Sequence, residues 1–328
     1  MEQRQLGPFH VSCLGLGCMN LSHAYGAIPS VAEAEALLLS ALDRGVTHFD
    51  TAALYGFGAN EELLGRVLGP QRGRFVLASK CGLHGVDGKR VLDGRPETLA
   101  VSCEQSLKRL RTDTIDLFYL HRWDRGVPIE DSVGALSELV KQGKVKTIGL
   151  SEVSAATLRK AHAVHPITAV QSEYSLWTRN PERGVLAACH ELGVTFVAFS
   201  PLGRGFLTGA LRDVTDFAPK DIRRNMPRFQ ADNYARNLAL VDELSPLARE
   251  LECSLPQLAL AWLLAKGEHI IPIFGTRSLA HLEDNLGAAS IQLTYAQVAC
   301  VERALDADQV VGARYSEAGQ ADIDTEEW

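Results

Sequence analysis

The sequence predicts an α/β fold, an eight-stranded parallel (β/α)8 TIM barrel, and three observations lead to it. Short apolar runs of strand length alternate with longer segments whose apolar residues recur at helical spacing, which requires a parallel sheet with crossover helices. About eight such units occur, which favours closure into a barrel over an open sheet. The apolar runs also end on polar residues at their C-terminal side, the rim that carries active sites in such barrels.

The first predicted elements are a hairpin and a complete strand–helix unit. The opening residues, to about Val11, read as a hairpin that plugs the barrel bottom, and residues 14–17 form the first barrel strand. A helix begins behind the capping box at residues 30–33 and ends at Gly45, so that the second strand can begin at Thr47.

The same alternation continues through the middle of the chain. The predicted helices cover residues 60–68, 96–110, 129–142, 155–163 and 183–192, and the predicted strands cover residues 75–80, 115–121, 145–151, 168–171 and 194–200.

Residues 202–236 interrupt the pattern, because this segment is rich in Gly, Pro and Arg and has little periodicity. The elements predicted after it are an extra helix (237–251), the seventh barrel helix (256–265, with a capping box at 254–257), the eighth strand (270–273), the eighth helix (279–286) and an accessory helix (294–305). The acidic tail after Asp308 is either disordered or folded over the rim through Arg314 and Tyr315.

Composition limits the class of protein. Hydrophobic residues make up 46% and charged residues 22% of the chain, which matches a globular protein with an ample core. We expect one domain over residues 1–328, because no linker divides the chain. The net charge of -7 argues against a nucleic-acid surface. No leader and no run of membrane-spanning length is found, so the expected location is cytoplasmic, without membrane contact.

The cysteines predict neither a disulfide framework nor a metal site. Seven cysteines without closely spaced pairs fit reduced thiols better than a zinc site. Cys18 and Cys81 lie near the predicted rim, and we interpret both as small buried hydrophobic residues.

The polar residues that end the strands are the candidate site. They are Asp50, Lys80, His121, Ser151, Gln171 and Ser200, and Tyr55 follows the first of them in the adjoining loop. Any one of them could simply be a solvated strand end. Because the C-terminal ends of parallel barrel strands meet at one rim, six such ends indicate a site that can move a proton.

Several segments resemble the signature segments of aldo-keto reductases. The segments are Phe49-Asp50-Thr51-Ala52 with Tyr55-Gly56, Ser79-Lys80, and Tyr119-Leu120-His121-Arg122, and the resemblance extends from Leu14 to Asn285. Residues 148–152 and 170–175 further resemble the branch that contains pyridoxal reductases and broad aldehyde reductases. The resemblance implies a catalytic tetrad of Asp50, Tyr55, Lys80 and His121. It also implies a C-terminal segment that folds over the barrel.

The chemistry of these four side chains suits carbonyl reduction. Tyr55 would protonate a carbonyl oxygen as hydride arrives at carbon, and His121 would orient that oxygen through a ring N–H. A free phenol has a pKa of about 10. An ammonium about 4 Å away, at an effective dielectric of about 20, stabilises phenolate by roughly 4 kcal/mol, or about 3 pKa units. We therefore expect Lys80, kept charged by Asp50, to bring the Tyr55 pKa near operating pH.

The cofactor is not expected in a Rossmann domain, because the glycines at 15 and 17 and at 203 and 205 lack the third glycine of that turn. The resemblance implies NADPH laid across the rim. Matching positions are Ser151 and Gln171 for the carboxamide, Phe199 stacked on the nicotinamide, the Ser200, Pro201, Leu202, Gly203 and Arg204 loop over the pyrophosphate, Gly275, Thr276, Arg277 and Ser278 for the 2′-phosphate, and Glu283 or Asp284 with Asn285 near adenine.

Two positions depart from the family pattern. Glu152 stands where many members have asparagine beside the carboxamide serine, and His281 stands where an arginine often assists the 2′-phosphate. Arg277 has an alternative role as the cap of a surface loop. Met19 and Trp123, with the loop near Arg228, are candidate substrate-pocket residues, and rim packing is the alternative for them.

These observations predict an NADPH-dependent reductase that converts aldehydes or ketones to alcohols and has a small-molecule carbonyl compound as its partner. The alternative is an NADPH-binding, redox-sensing interaction module, like the potassium-channel β-subunits that share this fold. A phosphosugar isomerase barrel is disfavoured, because it does not need the pair of Lys80 and Tyr55. Turnover separates enzyme from module. The sequence does not address the oligomeric state.

Overall fold

Residues 1–326 are described by a computed structural model, in which eight parallel strands close into a barrel as predicted. In chain order the strands are β1 (Gln3–Leu6), β2 (Phe9–Ser12), β3 (Gly15–Gly17), β4 (His48–Asp50), β5 (Val76–Cys81), β6 (Leu83–Val86), β7 (Lys89–Leu92), β8 (Ile115–Leu120), β9 (Val145–Ser151), β10 (Ala169–Glu173), β11 (Thr195–Phe199) and β12 (Ile270–Phe274).

The barrel runs β3-β4-β5-β8-β9-β10-β11-β12 and closes where the last strand pairs with the first. At this closure Ile273 lies beside Gly15 and Phe274 beside Leu16. The predicted N-terminal hairpin is confirmed as the antiparallel pair β1–β2. Its buried Leu6 and Val11 pack with the apolar side chains inside the barrel, so the hairpin plugs one end.

Helices cover the outside of the barrel. They are α1 (Val31–Asp43), α2 (Ala59–Leu68), α3 (Pro96–Leu110), α4 (Ile129–Lys141), α5 (Ala155–Val164), α6 (Val185–Leu192), α7 (Ala231–Glu250), α8 (Leu255–Ala265), α9 (Leu279–Gly287) and α10 (Tyr295–Ala304), and the short α11 (Glu317–Ala321) belongs to the C-terminal segment. The predicted capping boxes before α1 and α8 form, at Ser30 with Glu33 and at Ser254 with Gln257. In each, two orphan backbone donors of the helix start are satisfied by side chains.

Strand alternation divides the side chains into two layers. Phe49 of β4 packs with the helices, in the large outer core. Its neighbour Asp50 faces the barrel interior, because it accepts a hydrogen bond from Gln171 of β10, a strand on the opposite side of the barrel. The period of two along each strand therefore delivers polar side chains to the interior.

Helix α7 begins earlier than predicted, at Ala231 instead of residue 237. The reason is a polar residue in a core position. Asn237 is fully buried, and its amide exchanges two hydrogen bonds of 2.9 Å with the backbone of Val311. This buried amide, which follows the buried Tyr234, breaks the apolar spacing that marks a helix in sequence.

The hairpin β6–β7 was not predicted. It pairs Leu83 with Leu92 and turns at Asp87 and Gly88, which have φ values of 49° and 74°. An Asp-Gly dipeptide in a two-residue turn is a strong hairpin signal, so this element could have been found. Of the eight residues in the flanking strands only Leu83 is buried, so the sequence shows no core-facing alternation there.

The C-terminal segment folds back over the rim, the second of the two alternatives for the tail. Arg314 forms an ion pair with Glu152 at the end of β9, and Tyr315 contacts Arg204. Glu327 and Trp328 of the predicted tail lie outside the described residues. Within residues 1–326, no helix combines the length and the apolar character that crossing a bilayer requires. The single-domain organisation and the cytoplasmic location stay predictions.

Candidate active site

The centre of the site is a lysine buried between an acid and a phenol. Lys80, at the C-terminal part of β5, is fully buried, and its Nζ donates to a carboxylate oxygen of Asp50. The same ammonium donates to the Thr51 carbonyl at 2.8 Å and to the Tyr55 hydroxyl at 3.2 Å. The pairing of β4 with β5 brings Asp50 and Lys80 together, and the loop after β4 returns Tyr55 to them.

Asp50 is fixed by two donors. Its second oxygen accepts a 2.7 Å hydrogen bond from Nε2 of Gln171. Burial opposes the charge on Lys80, but the Asp50 carboxylate and the Tyr55 phenol outweigh it and raise the pKa of Lys80. The lysine is therefore an ammonium at every physiological pH.

The loop that carries Tyr55 is held by a buried amide. Asn60, in the first turn of α2, contacts the Thr51 hydroxyl at 2.6 Å and donates to the Cys18 carbonyl at 2.8 Å. In the loop between Thr51 and Asn60, the residues Gly56, Phe57 and Gly58 have φ values of 58°, 53° and 97°. A left-handed conformation in a bulky residue such as Phe57 costs energy and persists only when the surroundings fix it.

His121 lies against the phenol. The two rings make an edge contact with centroids 5.8 Å apart. Burial, followed by the charges of Arg122 and Lys80, holds the pKa of His121 well below its usual value. The imidazole is thus neutral and can donate one ring N–H. Its buried Nδ1 has no hydrogen-bond partner among residues 1–326.

The expectation that Lys80 brings the phenol pKa near operating pH is wrong. Tyr55 is partly buried. Burial raises the pKa of its phenol, the Lys80 ammonium lowers it and the Asp50 carboxylate raises it further, so the net effect is a raised pKa. The physical reason is that Asp50 already compensates the lysine charge, so desolvation of the phenolate prevails. Tyr55 is a protonated phenol at neutral pH.

A cavity of about 940 Å³ runs along the rim where β3, β11 and β12 end. Of the predicted cofactor and substrate residues, its walls contain Met19, Phe199, Ser200, Pro201, Leu202, Arg204, Gly275, Thr276, Arg277 and Asn285. Asp284 and His281 line it as well. The volume lies in the upper range of small-molecule and cofactor sites.

The donors in this cavity fit an anionic dinucleotide. It reaches the start of α9, where Thr276, Arg277 and Ser278 line it. Backbone N–H groups in the first turn of a helix lack intrahelical partners, and the helix dipole favours negative charge there. Within residues 1–326, Nε and Nη2 of Arg277 are also without partners, because Nη1 alone donates, to the carbonyls of Tyr25 and Ala27.

Five of the predicted cofactor and substrate residues, and Arg228 of the loop proposed for the substrate pocket, are not among those that line the cavity in the described part of the chain. The Ser151 hydroxyl accepts from Nη1 of Arg122 at 3.0 Å, and Gln171 contacts Asp50. Gly203 has φ 56° and lies against Trp177. Trp123 donates to the Val127 carbonyl at 2.9 Å, and Glu283 pairs with Arg44. The Glu283 side chain is 68% exposed and pairs with Arg44, and of the two acids considered Asp284 lines the cavity; the contact of either with adenine stays a prediction.

Arg204 is not a free cation beside the cavity. Its guanidinium donates to Glu173 at 2.8 Å and to the hydroxyls of Tyr25 and Tyr315, each at 3.2 Å. The side chain is 6% exposed. The arginine therefore ties the loop after β11 to the tail and to the loop after β3. Glu173 was not among the predicted site residues, because nothing in the sequence shows that this acid at the end of β10 pairs with Arg204.

Glu152 contacts the tail. Its two oxygens accept from Arg314 at 3.1 and 2.8 Å, a bidentate pair, and one of them also accepts from the Glu173 backbone N–H at 2.7 Å. Glu152 is buried and has φ 56°, so the structure holds it in a left-handed conformation. Glu152, which stands where many family members have asparagine, thus has an ion-pair partner in the C-terminal segment, Arg314.

Known proteins resemble this chain in sequence and in fold. A family model described as Aldo/keto reductase family matches residues 13–306. A Schizosaccharomyces pombe protein named aldo-keto reductase yakc, with NADP(+) in its name, is 45% identical over 95% of this chain and 94% of its own length. A Glycine max protein named probable aldo-keto reductase 1 is 42% identical over 96% and 93%. The structure of a glycerol dehydrogenase from Gluconobacter oxydans matches with a TM-score of 0.84 and 30% identity, over 96% of this chain and 98% of that one.

Proposed function

The chain belongs to the aldo/keto reductase family, and from this we propose that it reduces aldehydes or ketones to alcohols, with Tyr55 as the proton donor. It is an NADP-dependent oxidoreductase. The observation that carries the assignment of roles is the buried ammonium of Lys80, which contacts both Asp50 and Tyr55 while His121 packs against the phenol.

Each side chain has one task in the proposed reaction. When NADPH is bound, it supplies the hydride that reduces the carbonyl carbon. The Tyr55 hydroxyl donates its proton to the carbonyl oxygen, which the neutral His121 orients through a ring N–H. The Lys80 ammonium, 3.2 Å from the phenol oxygen, stabilises the phenolate that remains. Asp50 keeps that ammonium charged in its buried position.

We assign the cofactor-holding residues along the rim. Because Gln171 uses Nε2 on Asp50, its amide oxygen is left to accept from the carboxamide. The Ser151 oxygen accepts from Arg122, so its O–H is left to donate to the same group. Of the residues that line the cavity, we assign Phe199 to the nicotinamide, Ser200, Pro201, Leu202 and Arg204 to the pyrophosphate, and Asn285 to the adenine, with Gly203 shaping the loop between them. Thr276 and Arg277 hold the 2′-phosphate.

We expect carbonyl-dependent oxidation of NADPH with many turnovers per active site. The measurement is the fall in NADPH absorbance with a panel of pyridoxal, aromatic aldehydes, methylglyoxal-like dicarbonyls and sugars, since the branch that residues 148–152 resemble reduces pyridoxal and diverse aldehydes. Protein without carbonyl compound is the control. Tight NADPH binding with negligible turnover across the whole panel would favour the interaction module instead.

Arg277→Ala should weaken NADPH binding about tenfold to hundredfold and NADH binding far less. The 2′-phosphate carries close to two negative charges, and the free Nε and Nη2 edge of Arg277 can meet it with two parallel donors. We expect the lower half of this range, because His281 occupies the place of a second arginine. The measurement is Kd for both dinucleotides on wild type and variant.

The control for Arg277 is Arg44→Ala, which removes an exposed arginine that pairs with the exposed Glu283, and neither residue is among those that line the cavity in the described part of the chain. Arg277 also holds the carbonyls of Tyr25 and Ala27, so its loss could loosen that loop. Equal weakening for NADPH and NADH would assign Arg277 to the loop alone and reject the phosphate contact.

A further inference from the structure

Arg122 is a guanidinium beside the reaction centre without a counter-charge. It directly follows His121 and is partly buried. Its Nη1 donates to the His121 carbonyl at 2.6 Å and to the Ser151 hydroxyl at 3.0 Å. These are neutral acceptors, and within residues 1–326 no carboxylate forms an ion pair with it.

Four other arginines around this rim are compensated by carboxylates. The pairs are Arg90 with Asp322 at 2.6 Å, Arg125 with Asp324 at 3.4 Å, Arg204 with Glu173 at 2.8 Å, and Arg314 with Glu152 at 2.8 Å. Lys80 is neutralised by Asp50. Arg122 is therefore a net positive charge next to the catalytic centre. A partly desolvated cation without a partner is unfavourable in itself, and an anion that pairs with it recovers that cost.

The free edge of this guanidinium has the geometry that a carboxylate needs. Because Nη1 makes both contacts with the protein, Nε and Nη2 are left without partners among residues 1–326. These two nitrogens carry parallel N–H groups, which bind the two oxygens of a carboxylate side by side.

The charge of Arg122 acts on the reacting groups. After burial, it is the next cause of the lowered pKa of His121, and it also counters the burial that raises the pKa of Tyr55 and of Tyr315. Arg122 also contacts the backbone of His121, whose ring packs against Tyr55.

We propose that Arg122 binds an anionic group of the substrate, so that the preferred substrates are aldehydes or ketones with a carboxylate a few bonds from the carbonyl carbon. The inference rests on the proposed carbonyl reduction and adds its substrate class. Arg122 acts here in substrate selection, and the proton still comes from Tyr55.

Matched substrate pairs test the proposal. Succinic semialdehyde is compared with butanal, and 4-carboxybenzaldehyde with 4-methylbenzaldehyde, each with saturating NADPH. We expect wild-type kcat/KM to favour the anionic member, and Arg122→Gln to lower that preference about tenfold to hundredfold, mainly through KM. Comparing the ratio between proteins cancels differences in intrinsic reactivity and in cofactor contacts. Arg122→Lys should keep part of the preference, because it retains the charge without the fork.

The matched control is Arg125→Gln, which removes the same charge three residues away, at an exposed arginine paired with Asp324. This control should leave the ratio unchanged. An unchanged ratio in Arg122→Gln, an equal fall in Arg125→Gln, or no anion preference in wild type would overturn the proposal, while reduction of the neutral aldehydes would leave the proposed function intact.

A binding measurement keeps the proposal testable without turnover. Calorimetric Kd values for benzoate and benzyl alcohol on the NADP+-loaded protein should show benzoate binding weakened by Arg122→Gln and benzyl alcohol binding unaffected. Equal Kd values for benzoate in wild type and variant would reject the anion site. Failure to reduce any carbonyl compound would instead reject the proposed function.

Discussion

Tyr55→Phe should lower kcat for carbonyl reduction by about 10² to 10⁴, because it removes the proton that general acid catalysis transfers. The ring remains, so its edge contact with His121 and the shape of the site are kept. NADPH binding should be nearly unchanged, since Tyr55 is not among the residues that line the cofactor cavity. Single-turnover kinetics, which isolate the chemical step, measure the loss, and NADPH fluorescence titration measures Kd.

Tyr295→Phe is the control for this variant, because Tyr295 is 96% exposed at the start of α10.

The role of Tyr55 as proton donor also predicts how the rate of reduction depends on pH. The raised pKa of Tyr55 keeps the phenol protonated, so the reduction step should be flat from about pH 6 to about pH 9. Alcohol oxidation, which needs the phenolate, should still be rising at the alkaline end. More than half of wild-type kcat in Tyr55→Phe would show that another group donates the proton.

Lys80→Met should remove most activity and also lower the free energy of unfolding by about 3 to 5 kcal/mol. It leaves the Asp50 carboxylate, which is 1% exposed, without its cation in the barrel interior. It also removes the charge that stabilises the Tyr55 phenolate. Urea unfolding and single-turnover reduction measure the two effects separately.

The double variant Asp50→Asn with Lys80→Met separates stability from catalysis. It removes both charges from the interior, so much of the lost stability should return, because a neutral amide in place of the carboxylate leaves no buried charge unpaired. Activity should not return, since the phenolate still lacks the ammonium. Full stability in Lys80→Met alone would contradict the account of a buried pair, and recovery of activity in the double variant would contradict the role of Lys80.

The residues at strand ends were predictable because strand periodicity is a local signal and the barrel topology follows from the order of the elements. Asp50, Lys80 and Gln171 each end an apolar run, and parallel strands bring such ends to one rim. The capping residues at Ser30 and Ser254 were predictable for a similar reason, since they act within one helical turn.

The pairings between distant segments were not predictable in this way. Arg314 and Glu152 are separated by 162 residues, and only the finished barrel brings them together. The pKa of Tyr55 likewise depends on how much protein surrounds the phenol, which spacing does not reveal. For Arg277, the sequence suggested both a phosphate contact and a loop cap, and the guanidinium of this side chain has donors for both.

The closure of the barrel has a consequence for how the protein is made. β3 is synthesised long before its partner β12, so the ring stays open until β12 has been made. The cofactor cavity straddles this same seam, with Gly17 on one side and Ile273 on the other. A nascent chain that lacks β12 therefore lacks one wall of the cavity. Once the ring has closed, bound NADPH stabilises the closed barrel by mass action. The concentration of free dinucleotide in the cell therefore affects how stable the pairing of β3 with β12 is.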